Sequence, residues 1–383
     1  VVGGVLTGVG SVLKFLPTIV ILFLLLSILE DSGYMARAAF LMDKPLRKLG
    51  LNGRSFIPMM MGFGCTVPAV MSARSMNNDR DRRFTIMLTP FMSCGAKVPI
   101  YALFTRAFFP GNQVWVMTGM YLLGILVAIC AGLVLKRTVF HGDAAPFIME
   151  LPAYRLPTPA NVLRQMWDKA KDFLQRAFTV IFLATLIVWF LQNFTFRLEM
   201  TSEIGESMLG KIAGLIAPVF ATAGFGSVEA STAVITGLMA KESVVSTLAV
   251  LSGVDAESAQ MVSVMRQIFP STLAAVSFLV FVLLYMPCVA AVAAMRREME
   301  SSRWAYGTIA AQTALAWTLA TLVFQLGRLL GLGSAVVTVW EKFHDAEAAV
   351  AQEAGAVSAL YRLSRSLDPD ARARVQGELA RYL

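Results

Sequence analysis

The chain has 383 residues, of which 57% are hydrophobic and only 15% are charged, and its mean hydropathy is +0.65. Soluble domains usually carry about 25% charged residues, so this composition excludes an ordinary water-soluble protein. The net charge of +8 does not indicate nucleic acid binding, because the basic residues gather in short loops between apolar runs.

The inventory of reactive residues is small. Two histidines exclude a His-rich metal site, and four cysteines do not make a disulfide framework. The sequence contains no G-x-x-x-x-G-K-[ST] phosphate loop and no H-E-x-x-H motif, so no nucleotide or hydrolase site is visible in it. The chain starts at Val1 without a cleavable signal peptide, and we expect it to be a fragment of a longer protein.

Long uncharged stretches predict membrane helices, because about 20 apolar residues cross the hydrocarbon of a bilayer. The predicted helices cover residues 15–40, 84–104, 114–135, 178–194, 212–228, 230–240, 268–295 and 304–327, and the second of them is interrupted near Cys94 and Gly95. A tight turn at 109–112 joins two of them, and residues 251–267 are predicted to form a polar loop. The fold class is therefore an all-α, polytopic membrane helix bundle.

Residues 55–73 are uncharged but contain four helix breakers. These are Pro58, Gly62, Gly64 and Pro68. Basic loops flank the stretch on both sides, which favours the same, cytoplasmic side for both ends. We therefore predict a re-entrant hairpin. Irregular backbone at membrane depth is tolerated only in a protein interior or beside a watery cavity, so this hairpin indicates a pore or a binding site.

The chain divides into four predicted regions. Residues 1–140 form a first membrane half that includes the hairpin, and residues 141–176 form a cytoplasmic polar connector whose end, 162–176, is amphipathic. Residues 177–332 form a second membrane half, and residues 333–383 a soluble amphipathic helical tail. Short sequence echoes link the halves: 62–65 is similar to 224–227, and 91–94 to 285–288. Broken helices at matching places in two halves indicate a transport site between repeats.

Three cysteines stand beside a helix breaker: Cys65 after Gly64, Cys94 before Gly95, and Cys288 after a proline. Sulfur is a soft donor suited to late first-row metals, so these thiols are candidate ligands of a transported metal ion. The alternative is that cysteine serves as a small buried hydrophobe, which is the better interpretation of Cys130 in its unbroken apolar run.

Acidic residues near the membrane form a second candidate set, because a charge in the bilayer is costly unless it is functional or paired. Glu242 follows the uncharged run 230–240 and either lines a cation path or forms a structural pair with Lys241 or a distant partner. For Glu30 and Asp31 we favour structural ion pairs, with Arg37 as the partner near in sequence.

Two further residues are weaker candidates. Lys97 lies in an apolar segment after Cys94 and either acts beside the cation path or extends to the membrane interface. Met61, in the run 59–61, could supply a thioether ligand, although methionine more often serves as adaptable packing.

Five motifs resemble the permease region of the bacterial ferrous-iron transporter family FeoB. They are L-E-D-S-G-Y-M-A-R-A-A-F at 29–40, G-F-G-C with V-P at 62–68, P-F-M-S-C-G-A-K at 90–97, A-K-E at 240–242 and Y-M-P-C at 285–288. The similarity extends over about residues 3–327. The tail after residue 333 departs from the family's pattern.

The resemblance implies a function. It predicts import of Fe²⁺ across the bacterial cytoplasmic membrane by two gate-type repeats similar to those of nucleoside carriers, with no permanently bound cofactor. Cys65, Cys94 and Cys288 match the family's proposed pore cysteines, and Glu242 matches its A-K-E motif. The family also has an N-terminal cytoplasmic GTPase domain, which this sequence lacks, and small cytoplasmic Feo accessory proteins as partners.

Two other functions are left open. A gate-type carrier for nucleosides or another organic solute would use the same repeats without needing thiols. A membrane scaffold that transports nothing would use the tail as its active part. A homo-oligomer is also left open.

Overall fold

The fold was analysed in a computed structural model of the chain. It describes residues 20–76, 78–140, 154–197, 199–200, 204–255 and 258–331, together with the isolated positions 17, 363 and 375. The helical tail predicted at 333–383 and most of the connector predicted from 141 lie outside these ranges. The chain divides into two compact units, residues 1–326 and 327–383, and the described helices belong almost wholly to the first.

Helices account for nearly all of the described structure. The first half contains α1 (20–31), α2 (Tyr34–Lys48), α3 (Phe56–Gly64), α4 (Thr66–Ser72), α5 (Asp79–Leu88), α6 (Val98–Phe108) and α7 (Gln113–Thr138). The second half contains α8 (Pro159–Asn193), α9 (Met208–Ala221), α10 (Val228–Thr236), α11 (Ser243–Ser252), α12 (Ala259–Ile268), α13 (Thr272–Leu284), α14 (Val289–Glu298) and α15 (Ser302–Leu329). No strand occurs within the described ranges, where one isolated bridge pairs Phe194 with Met200.

The predicted all-α membrane bundle is confirmed. Within the described ranges, four helical stretches are long and apolar enough to cross a bilayer: Asp79–Phe108, Gln113–Thr138, Thr272–Glu298 and Ser302–Leu329. Leucine, isoleucine and phenylalanine side chains on the outer faces of the bundle stay exposed, as a lipid-facing surface requires. The predicted turn at 109–112 is also present, with Gly111 at φ 93°.

Two predictions about the first membrane helix and the connector are wrong. The stretch 15–40 is not one helix, because Gly33 adopts a left-handed φ of 79° and separates α1 from α2. The stretches 162–176 and 178–194 are not separate elements, because α8 runs through both without a break. No glycine or proline interrupts its sequence after the first position, so the change from amphipathic to apolar composition does not end the helix.

Three predictions in the second half are also wrong. The helix predicted at 212–228 ends at 221, because the chain turns at Gly224 with φ 87°. The loop predicted at 251–267 contains α12. The helix predicted at 268–295 is broken into α13 and α14 by an extended segment, 285–288, that includes Pro287.

Helix α13 lies at the centre of the bundle and is buried on nearly all sides. Its Phe278 and Phe281 pack in a cluster of aromatic rings with Phe104 of the first half and Phe225 of the second, at centroid separations of 5.1 to 5.7 Å. The two halves therefore share one hydrophobic core. A shared core fixes the broken segments of one half against those of the other.

Candidate functional site

Each of the three predicted cysteines occupies an extended residue between two helical segments. Cys65 (φ −153°, ψ 131°) separates α3 from α4, and Cys288 (φ −60°, ψ 157°) directly precedes α14. Cys94 (φ −78°, ψ 160°) lies in the irregular segment between α5 and α6. The breaks predicted at Cys65 and Cys94 are therefore present, and helix ends on both sides of each sulfur leave backbone amides and carbonyls without helical partners.

The three thiols belong to one neighbourhood. Cys65, Cys94 and Cys288 lie close enough to act on one another electrostatically, although they come from both halves of the chain. Cys65 and Cys288 also pack against a common apolar cluster that includes Ala291. Cys130 is exposed on α7.

The neighbourhood is not a closed metal cage. Within the described ranges, no set of three or more His, Cys, Asp or Glu side chains is arranged to hold a metal ion. The three thiols therefore do not form the closed ligand set of a resident metal ion. This is compatible with transient ligands, because a transported ion must bind weakly enough to leave again.

A fourth break joins this region from the second half. Between α10 and α11 the chain turns at 237–242, and the carbonyl of Leu238 accepts a hydrogen bond of 2.8 Å from the amide of Val289 at the start of α14. The hydroxyl of Tyr285 donates to the carbonyl of Val234 at 3.3 Å. These bonds hold the segment that contains Cys288 against the A-K-E segment.

Lys97 and Lys241 are the buried cations of this region, with only 3% and 2% of their surface exposed. The ammonium of Lys97 donates to the carbonyl of Leu283 at 2.7 Å. The ammonium of Lys241 donates to the carbonyl of Met286 at 2.8 Å and lies 3.0 Å from the centre of the Tyr285 ring. Lys97 therefore does not extend to the membrane interface.

Sequence reasoning treated Lys241 only as a partner of Glu242 and missed its position. A signal was available, because Lys241 follows the uncharged run 230–240 as directly as Glu242 does. Glu242 itself is half-buried at the start of α11. Lys241, rather than the carboxylate, acts electrostatically on Cys288.

Glu30 and Asp31 pair with α8 and the segment that precedes it. Glu30 forms an ion pair with Lys169, and Asp31 forms one of 2.6 Å with Arg155. Asp31 also accepts a 3.0 Å hydrogen bond from the amide of Thr158. That amide and the Arg155 guanidinium hold the pKa of Asp31 below its usual value of 3.8.

The predicted partner of the two acids, Arg37, makes a different contact, since its guanidinium lies 3.9 Å from the centre of the Tyr154 ring. The sequence could not indicate the observed partners, because Arg155 follows Asp31 by more than a hundred residues. The pairs fasten α1 to the start of α8. These ion pairs support the predicted structural role of Glu30 and Asp31.

A cavity of ≈ 550 Å³ lies between α1, α3, α4 and α8, and Phe23, Leu26 and Met71 of its lining also belong to the apolar cluster that contacts Cys65 and Cys288. Its lining includes four charged groups and three thioethers: Glu30, Arg54, Arg74, Lys169, Met35, Met61 and Met71. Met61 therefore faces a cavity, yet three cationic side chains share it. Two of these cations are paired, Lys169 with Glu30 and Arg74 with Glu298.

Family models match most of the chain. A Gate model, described as nucleoside recognition, matches residues 12–108 and 174–302, which is more than half of the chain. A model described as the C terminus of ferrous iron transport protein B matches 117–169, and a Bestrophin-like domain model matches 282–383. The two Gate segments contain all three broken-helix cysteines.

Curated relatives match over the same region. A protein named Fe(2+) transporter FeoB from Staphylococcus aureus (strain COL) is 42% identical over 326 residues, which cover 85% of this chain and 48% of the relative. The FeoB of Salmonella typhi is 38% identical, covering 83% of this chain and 48% of that protein. A Porphyromonas gingivalis relative, named as a fusion of Fe(2+) transport protein A and Fe(2+) transporter FeoB, is 38% identical over 86% of this chain and 44% of its own length. No solved structure matches the chain.

The fold and the broken segments define a multi-pass α-helical membrane protein built from two Gate repeats. The chain spans about half the length of the curated relatives it matches. Together with the family models, these relatives show that the chain belongs to the FeoB family, and that it corresponds to the family's membrane region.

Proposed function

We propose that the protein transports Fe²⁺ across the bacterial cytoplasmic membrane. The observation that carries this proposal is the convergence of Cys65, Cys94 and Cys288, each at a helix break, inside two Gate repeats related to proteins named Fe(2+) transporters. Thiols suit Fe²⁺ better than they suit Mg²⁺ or Ca²⁺, which prefer oxygen ligands.

The proposed path exchanges water for protein ligands one or two at a time. An ion that enters the bundle loses part of its hydration shell, and a sulfur together with nearby backbone carbonyls replaces the lost water. Cys65 and Cys94 act from the first repeat, and Cys288 from the second. Glu242, at the start of α11, offsets part of the charge of the ion on its way.

We further propose that this region works with parts outside the described chain. The relatives are about twice as long as the matched region, which leaves room for the N-terminal GTPase domain implied by the resemblance. One relative is named as a fusion with Fe(2+) transport protein A, which supports a small accessory protein of that type as a partner. In this account GTP hydrolysis belongs to the other domain, and no enzymatic activity is assigned to the membrane region.

The test is uptake of radiolabelled Fe²⁺ by cells that depend on the full-length protein, at matched expression of each variant. We expect Cys65→Ser, Cys94→Ser, Cys288→Ser and Glu242→Gln to lower uptake by about tenfold, as is common when a group that tunes a metal site is lost. Cys130→Ser is the matched control and keeps wild-type uptake, because that thiol is exposed on α7. Unchanged uptake in all four site variants would refute the assigned path.

A carrier for nucleosides is the second candidate, because the Gate model is described as nucleoside recognition. Binding of radiolabelled uridine and of Fe²⁺ to the purified protein separates the two. Uridine binding that survives the three serine substitutions, without Fe²⁺ binding, would favour the nucleoside carrier.

A further inference from the structure

Backbone carbonyls in the broken segments accept hydrogen bonds from two buried lysine ammonium groups. The ammonium of Lys97 donates to Leu283 at 2.7 Å, and approaches the carbonyls of Met92 at 3.3 Å and Pro90 at 3.4 Å. The ammonium of Lys241 donates to Met286 at 2.8 Å. These four oxygens belong to the breaks that contain Cys94 and Cys288.

The carbonyl of Leu283 is free for a physical reason. In an α-helix it would accept from the amide four residues later, and that residue is Pro287, which has no N–H. Helix α13 ends at Leu284, so the carbonyl points out of a helix C-terminus, where a positive charge is favoured. Lys97 comes from the first repeat, and its bond to Leu283 therefore joins the two repeats.

Carboxylates do not balance these charges within the described part of the chain. The charged or ionisable groups that act on Lys97 are Cys94 and Cys288, and Lys241 is acted on by the same two thiols and by Lys97 itself. Carbonyl dipoles and the face of the Tyr285 ring take the place of a counter-ion. Two ammonium groups within range of each other also repel a third cation.

We propose that these carbonyls form two cation sites for the transported divalent ion, and that Lys97 and Lys241 are tethered occupants which the ion displaces. One site comprises the carbonyls of Leu283, Met92 and Pro90, and the other contains the carbonyl of Met286. The inference rests on the proposed metal transport and adds oxygen ligands to its thiols. While the ammonium groups stay in place, they fill the oxygen sites and oppose entry of other cations.

Displacement predicts that metal binding becomes tighter when an ammonium is removed. The probe is Co²⁺, titrated into the purified full-length protein in detergent, with its thiolate charge-transfer absorption as the signal. We expect Lys97→Gln and Lys241→Gln to lower the apparent Kd by about tenfold, which is about 1.4 kcal/mol. Lys136→Gln is the matched control, because Lys136 also donates to a backbone carbonyl, that of Lys48 at 3.1 Å, but at an exposed position.

A second measurement needs no variant. An amine-specific reagent is applied to the wild-type protein with and without saturating Co²⁺, and modification of Lys97 and Lys241 is read by mass spectrometry. A displaced ammonium leaves its carbonyls, so we expect labelling of both lysines to rise when Co²⁺ is bound. Lysines that only cap helix ends would stay unlabelled in both conditions.

The outcomes separate this inference from the proposed function. A wild-type protein without any Co²⁺–thiol signal contradicts both. A clear wild-type signal, combined with unchanged or weaker binding in the folded glutamine variants and constant lysine labelling, overturns the displacement of lysine and leaves the thiol path standing.

Discussion

Gly64 and Gly95 lie close together, where the break at Cys65 approaches the break at Cys94. A Cβ atom placed on Gly95 would stand 3.5 Å from the carbonyl oxygen of Gly64 and would meet no other atom within 4 Å. Cys65 and Cys94 adjoin these two glycines, so the gap between them belongs to the proposed path. Gly95 is exposed although Cys94 and Lys97 beside it are buried, which indicates open space at this point.

Filling this gap should obstruct transport without unfolding the protein. We expect Gly95→Val to lower Fe²⁺ uptake by about tenfold, which corresponds to about 1.4 kcal/mol in the barrier, because the added methyl groups occupy the space before the Gly64 carbonyl. Gly119→Val is the control, since Gly119 on α7 is exposed and has nothing within 4 Å. Equal uptake by the two variants would place the path elsewhere.

Soft cations should compete with Fe²⁺ better than hard ones do. Sulfur ligands favour Cd²⁺ and Zn²⁺ over Mg²⁺ and Ca²⁺, so we expect the first pair to inhibit uptake at concentrations where the second pair has no effect. Inhibition by Cd²⁺ should weaken in Cys288→Ser and persist in Cys130→Ser. Equal inhibition by Cd²⁺ and Mg²⁺ would indicate a path lined by oxygen alone.

The junction between the A-K-E segment and Tyr285 should not tolerate a larger residue at Gly237. A Cβ atom there would stand 2.5 Å from the Tyr285 hydroxyl and 2.6 Å from a methyl of Val244. We expect Gly237→Ala to lower the free energy of unfolding by about 1–3 kcal/mol, as overpacking does in a filled core. The measurement is thermal unfolding in detergent.

The control for that experiment makes the same Gly→Ala change at a position where the added methyl group meets no other atom. Gly214 lies inside α9 with nothing within 4 Å, so Gly214→Ala should stabilise the protein by up to about 1 kcal/mol through helix propensity. A loss of stability in both variants would point to a cause other than the Tyr285 contact.

The pairing of Asp31 should matter for the attachment of α8 and not for the ion path. We expect Asp31→Asn to lower the melting temperature and to increase proteolysis near Arg155, while Arg47→Gln, which removes an exposed pair of 2.6 Å with Asp43, changes neither. A normal melting temperature for Asp31→Asn would contradict the structural role.

The pH dependence of that effect follows from the lowered pKa of Asp31. A carboxylate whose folded pKa lies below 3.8 stabilises the fold above that pH, and this contribution is lost as the pH falls through the folded pKa. The difference between wild type and Asp31→Asn should therefore be constant around neutral pH and shrink only in strong acid.

The sequence was sufficient for the parts of the fold that local chemistry decides. The helix breaks at Cys65 and Cys94 follow from glycine and proline nearby, and α7 and α15 follow from long uncharged runs. The sequence did not predict helix boundaries inside stretches whose composition is uniformly apolar. In the apolar run 268–295, periodicity gives no boundary because helix α13 is buried on nearly all sides, and the break at 285–288 depends on Pro287 and tertiary contacts.

Contacts between distant residues were also beyond prediction. All three cysteines were named from their breakers, but the bonds of Lys97 to Leu283 and of Lys241 to Met286 depend on how the two repeats pack. The same holds for Asp31: the sequence predicted the nearby Arg37 as its partner, whereas the structure pairs it with Arg155. Sequence spacing indicates which residues are unusual, whereas packing decides what they contact.

Protection of thiols by Fe²⁺ is the sharpest test of the proposed ion path. The purified protein is treated anaerobically with a small, membrane-permeant thiol reagent, with and without Fe²⁺, and the modification of each cysteine is measured. We expect Fe²⁺ to slow the modification of Cys65, Cys94 and Cys288 and to leave that of Cys130 unchanged. Equal rates with and without Fe²⁺ at all four positions would contradict it.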